Sequence, residues 1–173
     1  MIVKKVIQLC KKAKTLILYE GAGVQYISDG AGIYPLDGMP HFDEASICVA
    51  FDVSPQKINV LHELRLPESV DVRDTTEDEA EITQSLMPVG DDIPFMTSAG
   101  VEFIDRAHLA PVYDGETRIF ERHRAGGVYF VAKRGFILTA VIEPKALLDD
   151  EFVKRIESLA KACRKTWELK NNE

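Results

Sequence analysis

The sequence predicts an α+β protein, with a mainly antiparallel sheet and helices at both ends packed on it. Three observations lead there. Both ends carry apolar residues at helical spacing, the middle is divided by glycine clusters into short strand-like runs, and no run approaches the roughly 18 to 20 apolar residues that cross a bilayer. At 173 residues the chain has the size of one domain, and its 46 % apolar and 28 % charged fractions are those of a folded chain rather than a disordered one.

The first helix is expected over residues 2–14, where Val3, Val6, Ile7, Cys10 and Ala13 form an i, i+3, i+4, i+7 stripe and the lysines fall mostly off it. Thr15–Leu36 then alternates strands and turns. Runs at 15–20, 24–27 and 33–36 are separated by Gly21-Ala22-Gly23 and Asp29-Gly30-Ala31-Gly32, which reads as a three-stranded meander. Asp43 or a neighbour caps a helix to about Phe51, Ser54-Pro55 suits the start of a short second helix, and Val60–Leu66 reads as a strand ended by Pro67.

Residues 68–92 are the compositional outlier. Glu68–Glu81 in particular is acidic and poor in large apolar groups, the composition of a solvated loop. Ile82–Val89 reads as a strand and Gly90–Pro94 as a turn. Beyond residue 100 the pattern is β, with strands expected at 101–106, 117–122, 127–132 and 136–142. The last is nearly all apolar and therefore central. A closing helix is expected from Asp149, with Phe152, Val153, Ile156, Leu159, Ala160, Cys163 and Trp167 on one stripe.

Several chemistries are excluded by residue type and spacing. Gly21-Ala22-Gly23 follows a strand, but Tyr26 stands where a dinucleotide fingerprint needs glycine, and another strand follows instead of a helix. There is no phosphate-binding Gly-Lys-Ser/Thr, no Gly-x-Ser-x-Gly elbow and no calcium-loop spacing. Cys10, Cys48 and Cys163 are odd in number and far apart, which suits buried thiols in a reducing cytoplasm, and no cofactor is implied. The start lacks the apolar core of a signal peptide, so a cytoplasmic protein with no membrane association is expected.

The charge distribution is the one positive signal. The net charge is −7, yet Lys4, Lys5, Lys11, Lys12 and Lys14 crowd an opening segment that contains no acid. Lys161, Arg164 and Lys165 enrich the closing helix. Lys4, Lys5, Lys11, Lys12, Lys161, Arg164 and Lys165 are therefore the candidate polyanion-binding residues, with nucleic acid as a candidate partner. Two alternatives carry residues of their own. Ala45–Asn59 is arranged like the core of a helix-turn-helix, with Val53 as the turn hydrophobe and Ser54–Gln56 opening the reading helix. His108, His123, Asp105 and Glu121 could assemble an enzyme site from neighbouring strands.

Leu18-Tyr19-Glu20, Asp29-Gly30-Ala31-Gly32-Ile33-Tyr34-Pro35-Leu36 and Phe51-Asp52-Val53 resemble uncharacterised proteins encoded in prophages of Gram-positive bacteria. That resemblance covers the first third of the chain. It implies a phage-related intracellular role, with itself or a phage protein as partner, and no catalytic motif. A helix followed by glycine-punctuated strands, repeated toward the C-terminus, is similar in architecture to a DNA sliding-clamp domain. The expectation is a non-enzymatic binding or assembly protein.

Overall fold

The computed structural model describes residues 2–21, 23–84 and 88–145, with 154, 158, 161 and 162 beyond them. Helix α1 (Val3–Ala13) ends at Lys14, whose φ of 56° turns the chain back into β1 (Thr15–Gly21). β2 (Val24–Ser28) and β3 (Gly32–Pro35) complete the expected meander. The second turn is held by Asp29, whose Oδ1 accepts from the Ala31 and Gly32 amides at 3.1 and 2.9 Å.

Helix α2 (Glu44–Phe51) starts with a reciprocal capping box between Asp43 and Ser46. The second helix expected at Ser54-Pro55 does not form. Lys57 and Ile58 donate their amides to the Ser54 carbonyl in a single turn, and the chain enters β4 (Asn59–Arg65) at once. This segment is therefore not a helix-turn-helix. Val53 and Ile58, the residues that would space two helices, are buried and hold the turn against the main core.

β5 (Ala80–Ile82) is shorter and earlier than the strand expected at 82–89. The expected turn at 90–94 instead opens β6 (Asp92–Thr97), which forms a two-stranded ribbon with β7 (Gly100–Asp105). A short helix that the sequence reading missed, α3 (Arg106–Leu109), follows, capped by the Asp105 carboxylate on the Ala107 amide at 2.8 Å. β8 (Thr117–Arg124), β9 (Gly127–Arg134) and β10 (Ile137–Ile142), close to the strands expected there, form an antiparallel meander.

Among the described residues eight strands make one sheet in the order β4-β1-β2-β3-β10-β9-β8-β5, and only the β1–β4 pair is parallel. β10 is central, as its apolar run requires. The order is palindromic in topology. An α-β-β-β unit (α1, β1, β2, β3) and a second one (α3, β8, β9, β10) meet at the β3–β10 seam, each with an extra strand on its outer edge.

Alternation of side chains gives the sheet two apolar faces. On one, Leu16, Leu18, Ile27, Tyr34, Phe130, Ala140 and Ile142 pack with Val6, Ile7 and Cys10 of α1, Ile47 of α2, Leu109 of α3 and Phe95 and Ile104 of the ribbon. On the other, Tyr26, Ile33, Tyr129, Val131, Leu138 and Val141 pack with Val70, and Leu66 and Val72 lie against them. The acidic segment is thus a strap laid across the second face, rather than a solvated loop throughout.

The closing helix expected from Asp149 lies largely outside the described residues. Lys154, Ser158, Lys161 and Ala162 are helical and exposed, and all four fall off the apolar stripe expected there.

Candidate functional site

At 100° per residue, Lys4, Lys5, Gln8, Lys11 and Lys12 fall within an arc of about 120° on α1, opposite Val6, Leu9 and Cys10. All five are exposed, and the arc contains no acid. Lys4 and Lys11 stand about 10 Å apart along the axis. Among the described residues, none of these lysines lies in an ion pair. Two donate to backbone carbonyls instead, Lys5 Nζ to Ala110 at 3.0 Å and Lys11 Nζ to Phe51 at 3.3 Å. An ammonium has three donors, so each keeps two for a ligand.

The cationic surface continues beyond both ends of the helix. Past its C-terminus, Lys11, Lys14 and Lys57 line an open hollow of about 700 Å³ with Asp52, Ser54 and Gln56. At its N-terminal end α1 is tied to α3 through the Ile2 amide on the Pro111 carbonyl and the Lys5 contact. The two helices therefore lie together on one face of the sheet, and α3 adds the exposed Arg106. Of the remaining candidate residues, Lys161 is exposed, while Arg164 and Lys165 lie outside the described residues.

The alternative constellation of His108, His123, Asp105 and Glu121 does not converge. Glu121 accepts from the Ser98 amide at the tip of the β6–β7 ribbon, and His123 lies 3.8 Å from Glu121. Asp105 pairs with Asp92 at the opposite end of that ribbon, five residue steps or about 17 Å away. His108 faces Asp29, at 3.0 Å. Asp29 is held below the usual carboxylate range. Desolvation works against its ionisation and is outweighed by the bond to His108 and by the amides of Gly32 and Ala31. Glu121 and His123 thus lie near each other, while His108 is turned to Asp29 and Asp105 stands at the far end of the ribbon.

Cys10 is fully buried, donates to the Ser28 carbonyl at 3.5 Å, and has its thiol pushed up to about 12 by burial and by Asp29, so no thiolate is present near neutral pH. Cys48 is shifted the same way by desolvation, and Cys163 lies outside the described residues. Among the described residues no three His, Cys, Asp or Glu side chains gather as metal ligands. None of their helices is long and apolar enough to cross a membrane.

One charged cluster escaped the sequence reading. Arg122 and Lys133, 1 % and 2 % exposed, share the Glu79 carboxylate beneath the strap. Arg122 also donates to the carbonyls of Asp71, Arg73 and Asp74, so every arm of its guanidinium is engaged. The cluster holds the strap and offers a ligand nothing. Comparison of the chain with protein-family models, with curated proteins and with solved structures returned no significant match.

Proposed function

We propose that the chain is a non-enzymatic binding and assembly protein that seats double-stranded DNA against the lysine face of α1, in the manner of a sliding-clamp unit. The observation that carries this reading is the acid-free arc of Lys4, Lys5, Lys11 and Lys12 on a protein whose net charge is −7. Such segregation focuses positive potential on one face and leaves the rest of the surface repelling a polyanion. The paired helices on one side of a palindromic sheet support the clamp-like element. The free thiols Cys10 and Cys48 support a reducing, cytoplasmic setting. A role beside phage proteins rests on the resemblance of the N-terminal third, and self-assembly on the clamp-like architecture.

Fluorescence anisotropy with a labelled 20-bp duplex tests the reading. Four lysine–phosphate contacts give log K a slope of about −3.6 against log[salt], and Lys4→Gln/Lys11→Gln/Lys12→Gln lowers that slope by about 3. Absence of binding at 20 mM salt, or a triple variant that binds as wild type does, removes DNA from the proposal. A strict monomer by light scattering, with and without the duplex, removes the clamp-like assembly.

A further inference from the structure

A second cleft, of about 530 Å³, opens where the β5 edge, the ribbon and α3 meet, and its volume is that of a small-molecule site. Its apolar lining comes from Ile82, Ile93, Phe95, Leu109 and Ile119. Four elements contribute those five side chains, and Phe95 is fixed from behind by the ring of Phe130 at 5.8 Å. The wall is therefore anchored in the main core rather than carried on a loop.

The charged lining is one-sided. Lys5, Arg106 and Arg118 face a single carboxylate, Glu81, in a protein with more acids than bases. Glu81 is taken by Arg118 at 3.1 Å, which leaves Lys5 and Arg106 uncompensated. Lys5 spends one proton on the Ala110 carbonyl, and no carboxylate of the described residues reaches Arg106. Arg106 is exposed at the first position of α3, where its guanidinium is free to make a two-pronged contact with a planar acid. Tyr113, 63 % exposed, adds a ring with a polar tip to the lining.

We infer that this cleft binds a small amphipathic anion, an aryl or short acyl acid whose apolar body lies against Ile93, Phe95 and Ile119 and whose carboxylate meets Arg106. A neutral ligand of the same shape gains the apolar contacts only. An unpaired carboxylate gains a charge-assisted hydrogen bond as well, which sets the expected preference at about tenfold or more. The site is separate from the lysine arc of α1 except for Lys5, so the two proposals fail independently.

Isothermal titration of the full chain with naphthalene-2-carboxylate and with naphthalene-2-carboxamide tests the inference. The carboxylate should bind at least about tenfold tighter than the amide. Arg106→Gln should abolish that preference while the amide's affinity stays unchanged, and Lys4→Gln/Lys11→Gln/Lys12→Gln should leave both affinities as in wild type. Methyl shifts in the wild-type NMR spectrum should fall on Ile82, Ile93, Leu109 and Ile119, a readout that needs no variant to fold. Equal affinities, a preference that survives Arg106→Gln, no binding at millimolar probe, or shifts centred on another surface would each overturn it.

Discussion

At the scale of single residues, the buried charges carry the largest energies. Among the described residues Glu79 is the only carboxylate joined to both Arg122 and Lys133, and removing it strands two cations under the strap. Breaking a buried pair by deleting one partner costs about 3–5 kcal/mol, so Glu79→Ala should lower the unfolding free energy by about 3 kcal/mol or more in urea titrations. Exposed pairs such as Arg118–Glu81 contribute at most about 1 kcal/mol. The same group makes stability depend on pH. Desolvation resists ionisation of Glu79, and the bonds from Lys133 and Arg122 outweigh it, so its folded-state pKa lies below the unfolded value. Asp29 and Asp71 are shifted in the same direction, Asp71 chiefly by its hydrogen bond from Arg73. A depressed carboxylate contributes stability that is complete above the unfolded pKa and disappears as pH falls through the folded one. The urea midpoint should therefore hold from pH 7 to about pH 5 and drop below about pH 4.5. Glu79→Gln should begin lower and lose less over that acid limb; an acid limb as steep as in wild type would show that Glu79 does not drive it.

At the scale of elements, the strap decides how the sheet is finished. An eight-stranded sheet with helices on one side only would leave Tyr26, Ile33, Tyr129, Val131 and Val141 open to water. Residues 66–79 cover them through Val70, and three polar ties fix the register. Tyr129 Oη accepts from the Asp71 amide at 3.1 Å, Asp74 Oδ1 accepts from the Leu138 amide at 2.9 Å, and Arg122 holds the carbonyls between. β3 pairs with β10 only at Val141 and Ile142, so it does not reach Leu138. Hydrogen exchange should find the amides of Asp71 and Leu138 protected as strongly as those of β9. Asp74→Ala should release Leu138 while leaving β1 and β2 protected. Fast exchange of Asp71 in wild type would mean that the strap is loose. Little of this was legible in the chain. Strand alternation places Phe120, Arg122 and Arg124 on one face, and two arginines there read as a solvent face. The acids of 68–79 read as solvation for the same reason. The visible signal was Val70 and Val72 spaced two apart within the acidic run, together with one Glu able to meet the two buried bases. Helices α1 and α2 and the β1–β3 meander were legible because their periodicity is local. The parallel β1–β4 pair was not, since its partners, such as Thr15 and Asn59, lie far apart in sequence, and the ribbon, although local, was hidden because Gly90–Pro94 reads as a turn.

At the scale of the molecule, the question is whether the two α-β-β-β units behave as one body. Their seam is narrow, with two residue pairs between β3 and β10, Ile33–Val141 and Gly32–Ile142. Packing reinforces it on both faces. Tyr34 is fully buried and donates its hydroxyl to the His108 carbonyl of α3 at 2.9 Å, so a side chain of the first unit is bolted to the helix of the second. His108 returns a contact to Asp29 in the turn before β3. Gly32 makes that arrangement possible through lack of volume rather than through backbone freedom. A methyl group there would lie 2.5 Å from the Tyr34 hydroxyl and 2.7 Å from its ring, and the ring cannot swing away without surrendering its bond to α3. Gly32→Ala gains about 0.5–1 kcal/mol from the stiffer unfolded chain, and overpacking at a rigid site costs about 1–3 kcal/mol, so the clash prevails. The expected result is a net loss of about 1–2 kcal/mol by urea titration. The distribution of the loss is the more informative readout. If the seam joins a single cooperative unit, amides of β1–β2 and of β8–β9 should lose protection by the same factor, because both exchange through global unfolding. If the units are independent, the loss should be confined to residues 15–36, with β8 and β9 protected as before, and the palindromic sheet would then be two modules in contact rather than one.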